Sequence, residues 1–149
     1  MKPKILFILH LPPPIHGAAM MGKYIQESEL VNSSFDCFCI NLATAGSLSD
    51  IGHISLKKLL KYFFLLKHIS HVVREIRPEL VYITPNAGGK AFFKDFIVVQ
   101  MLKSMGCKVI AHYHNKGVSV YQSKWVYNFF YKRFFSNLKV ILLAENLYK

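Results

Sequence analysis

Residues 4–25 read KILFILHLPPPIHGAAMMGKYI, and the way this stretch is parsed decides the fold. Lys4–His10 is a continuous apolar run with β-branched residues, the pattern of a strand buried on both faces. Three prolines interrupt it, and Gly17–Leu30 then has helical periodicity. A competing parse is that GAAMMGK fits G-x-x-x-x-G-K, the outline of a phosphate-binding loop. It fails on chemistry. Tyr24 stands where Ser or Thr must ligate magnesium, and none of the predicted strands ends in the Asp that would make the metal's second contact. Ala18 to Met21 are four successive apolar residues, suited to buried helical turns. Gly22 and Lys23 therefore belong inside a helix, and the stretch is a strand-to-helix turn.

Outward from this unit, strand and helix patterns alternate. Ser34–Leu42 is a second strand with Asp36 its one charged residue, and Ala43–His53 is the main loop. A long helix is expected over about Ser55–Ile76, with Leu56, Leu59, Phe63, Leu66, Val73 and Ile76 as its core stripe and Pro78 just past its end. Glu79–Thr84 is a third strand and Pro85–Lys90 a Gly-bearing loop. A helix follows over roughly Ala91–Met105, closed by Gly106 as a C′ residue. Cys107–His114 is the fourth strand, Tyr121–Phe135 a helix and Lys139–Ala144 the fifth strand. This order predicts one domain over residues 1–149: an open, Rossmann-like α/β fold, a parallel sheet with helices on both faces. The sequence as given stops just after a strand, so a fragment or one half of a two-part protein is expected, with a C-terminal domain or partner subunit outside it.

Composition narrows the class. The chain is 52% hydrophobic and 14% aromatic, yet no apolar run approaches the roughly 20 residues of a spanning helix. MKPKILFILHLPPP starts basic and then turns apolar, but no small-residue cleavage site follows, so a cytoplasmic protein is expected. The formal charge of +11 predicts attraction to polyanions. Cys37, Cys39 and Cys107 are odd in number and lack C-x-x-C spacing, which argues for reduced thiols. No RNP-like, zinc-finger or helix-turn-helix pattern is present, so no nucleic acid is expected as partner.

Candidate site residues cluster at predicted strand ends. The Rossmann G-x-G-x-x-G is absent, which leaves His16 and Gly17 at the first strand-to-helix junction. Two readings of Gly17 stand: close approach of an anionic ligand to a helix N-terminus, or a glycine required by the turn alone. Asn86 and Lys90 flank the third strand's loop and are expected substrate contacts. AHYHNKG, residues 111–117, adds His112, His114, Asn115 and Lys116 at the fourth strand's end, the edge where open α/β sheets bind ligands. His112 and His114 share a strand face, and the alternative for either is a histidine held by nearby backbone. If the strand order is 3-2-1-4-5, the fourth strand lies beside the first and His114 stands close to His10, His16 and Gly17. No carboxylate or cysteine completes a metal set, so no metal is expected.

Two segments are both basic and apolar. One carries Lys57, Lys58, Lys61, Lys67 and Arg74; the other, SKWVYNFFYKRFFSN, mixes Lys124, Lys132 and Arg133 with Trp125 and six further aromatics. The second segment reads either as a helix in an anionic membrane interface, with Lys124, Trp125, Lys132 and Arg133 at the surface, or as a helix buried against a part of the protein outside this sequence.

The opening stretch, PELVYITPNAGGKAFFKDFIVV, GCKVIAHYHNKG and LKVILLAENLY resemble, in order and spacing, the N-terminal domain of bacterial family 4 glycosyltransferases. These are retaining, nucleotide-sugar-dependent enzymes of the two-domain GT-B fold. The resemblance implies that Gly17 lies near the donor phosphates and the acceptor, and that His114 contacts the transferring sugar as the catalytic residue, with Asn115 and Lys116 beside it. It implies an acceptor-side domain for a lipid-linked saccharide at the inner membrane face, a nucleotide-sugar as donor substrate and no further cofactor. The family's donor pocket has no counterpart here, so the chain alone is expected to be inactive. The competing expectation is a non-catalytic partner that anchors a separate donor-binding subunit at the membrane.

Overall fold

A computed structural model describes residues 1–42, 56–113 and 117–142. The strands are β1 (Lys4–Leu9), β2 (Asp36–Asn41), β3 (Leu80–Ile83), β4 (Val109–Tyr113) and β5 (Lys139–Leu142). The helices are α1 (Gly17–Glu27), α2 (Glu29–Ser34), α3 (Leu56–Ile76), α4 (Gly89–Ser104), α5 (Gly117–Tyr121) and α6 (Trp125–Phe135). The five strands form a single parallel sheet flanked by helices, ordered β2-β1-β3-β4-β5. The α/β alternation therefore folds as the pattern predicts, with helical crossovers joining parallel neighbours.

The strand order corrects the conditional expectation of 3-2-1-4-5. β3 lies between β1 and β4, so the fourth strand is not a neighbour of the first. Strand patterns alone cannot rank two buried interior strands, because β1 and β3 are both short and apolar. The order reverses direction between β1 and β3, and this is the switch point of the sheet.

The chain divides into two compact units, Met1–Tyr82 and Ile83–Lys149. In the first, Ile5, Phe7 and Leu9 form a core with Leu11, Ile25, Val31, Phe35 and Tyr82. The alternate residues Leu6 and Ile8 are fully buried as well, so both faces of β1 are covered. The helix expected over Gly17–Leu30 breaks at Ser28, whose hydroxyl accepts the Val31 N–H at 3.4 Å and opens α2.

In the second unit the core is aromatic. Phe92 of α4 is fully buried against Tyr127, Tyr131 and Phe134 of α6, with ring centroids 5.8, 4.8 and 5.6 Å away. Phe93 and Phe96 each meet Phe130 edge to face. The ends of α4 and α6 use left-handed backbone: Gly106 (φ 78°) follows α4 as expected, and Asn137 (φ 54°) follows α6. Lys103 adds a second closure for α6, its Nζ donating to the carbonyls of Arg133, Phe134 and Ser136 at 3.0, 2.6 and 2.5 Å. A cation there also meets the negative end of the helix dipole.

The expected core stripe of α3 needs a second correction. Ile69 and Val73 are buried, and Leu66 and Ile76 half-buried, but Leu56, Leu59 and Phe63 face solvent. The stripe mixed two faces. Helical spacing reports that residues share a face, and a helix apolar on two sides satisfies that test twice.

Candidate functional site

In the first unit, candidate residues gather where β1 hands over to α1. His16 is the N-cap of α1: its backbone is extended and its Nδ1 accepts the Ala19 N–H at 3.3 Å. That bond assigns Nδ1 as an acceptor, so any proton on a neutral ring sits on Nε2. His10 lies beside it, ring centroids 5.9 Å apart, edge to face. The loop is tied to the neighbouring strand, with the Leu11 N–H donating to Oδ1 of Asn41 at 3.2 Å.

The two glycines of α1 differ sharply in need. At Gly22 an added Cβ would collide with the carbonyl oxygen of His10, so the helix packs against the chain end of β1 only because this residue has no side chain. Its neighbour Lys23 is exposed and paired with Glu27 at 3.8 Å across one helical turn. Neither residue can cradle a phosphate. At Gly17 the opposite holds: a Cβ would meet nothing within 4 Å. Its φ is also outside the left-handed region, which among described glycines is occupied by Gly89 and Gly106. The turn itself does not require glycine at position 17. Gly17 is exposed at the start of an eleven-residue helix with no acid in its first turn, where the N–H groups of Gly17 and Ala18 have no intrahelical acceptor.

In the second unit Asn86 and Asp95 form the organising pair. Oδ2 of Asp95 accepts both the backbone N–H and the side-chain amide of Asn86, each at 2.7 Å. Asn86, expected to contact substrate, thus spends its amide on holding the loop between β3 and α4. Asp95 is fully buried. Burial pushes its carboxyl above the usual range, while Lys94 and the bonds from Asn86 pull the other way. Its Oδ1 lies 3.7 Å from Lys94 Nζ and makes no hydrogen bond among the described residues. Nor does the buried hydroxyl of Tyr113, which burial and then the nearby Asp95 hold well above the ordinary phenol range. Tyr131 donates its hydroxyl proton to the carbonyl of Ala87, a second tie on the same loop.

Asp95 and Tyr113 were not foreseen as part of a polar cluster. The available signal was one carboxylate, in FFKDFIVV, inside an otherwise apolar helical run. An acid at the centre of such a run must be buried and therefore must have donors.

Of the other expected site residues, Lys90 is exposed in the first turn of α4, and His112 is buried within β4. His114, Asn115 and Lys116 lie outside the described residues, as does the loop Ala43–His53. Lys124 is exposed at the N-cap of α6, and Lys132 and Arg133 are exposed on the helix together with Trp125 and Phe129, which are 82% and 62% exposed. Among the described residues no cluster of metal-ligating side chains occurs, and no helix is long and apolar enough to cross a membrane.

The fold defines a class: an open, all-parallel, Rossmann-like α/β sheet with polar residues gathered at strand ends. Compared with protein-family models, with curated proteins and with solved structures, the chain finds no match.

Proposed function

We propose that this chain is the acceptor-side, N-terminal half of a retaining, nucleotide-sugar-dependent glycosyltransferase that acts on a lipid-linked saccharide in cell-surface polysaccharide synthesis. In this reading the donor pocket is supplied by a further domain or subunit. The observation that carries it is Gly17: neither its φ nor the described residues around it require glycine, and its missing side chain leaves room for a ligand at the start of α1. The N–H groups at the start of α1 suit the diphosphate of a lipid-linked sugar, whose charge they meet with fixed partial charges. The sequence resemblance to family 4 glycosyltransferases supports the same assignment.

The chemistry asks for two things. The acceptor must be held by its diphosphate, which preorganised N–H donors at the start of α1 accomplish without reorganisation, while the leaving nucleoside diphosphate is met by the donor-binding half. The sugar must also be oriented, and that role falls to His114 with Asn115 and Lys116, His114 holding a hydroxyl rather than attacking the sugar itself.

Gly17→Asp separates this function from the fold. A carboxylate at the first helical position favours the helix dipole, and its Cβ has free space, so the melting temperature should stay level or rise. The same charge repels a diphosphate. Calorimetric titration with a short-chain lipid-diphosphate saccharide should give binding for the native chain and none for Gly17→Asp. Equal binding by both would refute the site. In the complete enzyme, His114→Ala should cut turnover strongly without loss of fold, and near-normal turnover would remove its assigned role.

A further inference from the structure

α3 has a second apolar face, which is left exposed among the described residues. Leu56, Leu59, Leu60, Phe63 and Phe64 stand at i, i+3, i+4, i+7 and i+8, the spacing of one helical stripe. All five are 52–74% exposed, while the helix meets the core through Ile69 and Val73. Farther along the same stripe, at i+11, i+15 and i+18, come Lys67, His71 and Arg74, all exposed. The outer face is thus apolar for two turns and then basic. From Leu56 to Arg74 the helix holds four lysines, one arginine and no acid. Lys67 Nζ sits 4.7 Å from the centre of the Phe63 ring, at the boundary between the two halves.

We propose that this face of α3 docks the protein on an anionic lipid surface. Its five apolar side chains enter the boundary between headgroups and acyl chains, while Lys57, Lys61, Lys67 and Arg74 meet lipid phosphates. Charge selects this occupant. Each cation near an anionic leaflet adds about fivefold to binding, and a large apolar face bordered by cations alone is the signature of an interfacial helix. A protein partner fits less well, because interface cores are depleted in lysine. A second copy fits least, since it would bring two cation-bearing faces together with no acid on either to pair with them. The surface lies within the unit Met1–Tyr82 and stands independently of any sugar chemistry.

Co-sedimentation with phosphatidylcholine–phosphatidylglycerol vesicles, compared with pure phosphatidylcholine, tests the docking. The native chain should bind the anionic vesicles at least about tenfold better. Phe63→Ser/Phe64→Ser should lower that partition at least about tenfold with an unchanged melting temperature, because both rings are already exposed. Lys57→Glu/Lys61→Glu should lower it comparably, and Trp125→Ser/Phe129→Ser on α6 should leave it within about twofold. The proposal is overturned by Phe63→Ser/Phe64→Ser partitioning like the native chain, or by a loss confined to the α6 variant. It is overturned too if light scattering finds a dimer that Phe63→Ser/Phe64→Ser dissociates while vesicles bind neither form.

Discussion

α3 and α6 are built from the same materials: aromatic and aliphatic side chains, lysines, one arginine, almost no acid. The molecule uses them in opposite ways. In α6 the aromatic residues Tyr127, Tyr131 and Phe134 turn inward onto Phe92, leaving Trp125 and Phe129 outside. In α3 the aromatic stripe turns outward and the core is met by smaller aliphatic residues. The difference comes from what stands opposite. α4 presents Phe92, Phe93 and Phe96 to receive α6. Composition therefore states how much apolar surface a helix owns, and only its neighbours decide where that surface goes. The pair Gly22 and Gly17 repeats the lesson within one helix: one glycine is enforced by contact, the other by none among the described residues.

The sharpest way to break the contrast is to truncate one ring on each side of it. Phe92→Ala empties the centre of the aromatic cluster and should cost about 3–5 kcal/mol, read from the urea midpoint. Phe63→Ala on α3 should change stability by no more than about 0.5 kcal/mol. Similar losses from the two would erase the distinction between an inward and an outward stripe.

Next in size is Asp95. Asp95→Ala removes the acceptor of both Asn86 donors and should cost about 2–3 kcal/mol. Asp95→Asn keeps an acceptor and removes the charge. Because burial raises the folded carboxyl above its unfolded value, the group's contribution is complete below the ordinary aspartate range and is lost as pH rises through the folded value. The native chain should therefore lose stability over that rise, and Asp95→Asn should flatten the profile. A profile identical in both would show that Asp95 does not titrate upward.

Gly22→Ala tests the contact between α1 and β1, with an expected loss of about 1–3 kcal/mol, against little or none for Gly17→Ala. Equal effects would mean that α1 rests less closely on its strand. The smallest expected effect belongs to Lys103→Met, which keeps the stem and removes the ammonium from three carbonyls at the end of α6. About 1 kcal/mol, with earlier loss of amide-exchange protection in the last turn of α6, is the expected outcome.

Much of the fold was legible because β1 announces itself: its five residues Ile5–Leu9, covered on both faces, must read as unbroken apolar sequence. The C′ glycine at 106 and the placement of Gly22 and Lys23 inside α1 were legible for equally local reasons. Strand order was not, since nothing in the side chains of β1 or β3 records which neighbour each accepts. The outward stripe of α3 was missed because a stripe's spacing is the same whether it faces protein or solvent. At the candidate site, the position of His16 and Gly17 at a strand-to-helix junction was legible from the sequence. The engagement of Asn86 with Asp95 was not, for it joins residues nine apart through a loop whose path the sequence does not state.

The close seat of α1 on β1 has a consequence for timing. With Gly22 held against the His10 carbonyl, α1 cannot rotate or slide without lifting off the sheet, so its first turn holds the same position with or without a ligand. Association at Gly17 should then be a single step, its rate proportional to ligand concentration at every concentration tested. A slow phase that saturates would show that α1 is not held fixed on its strand.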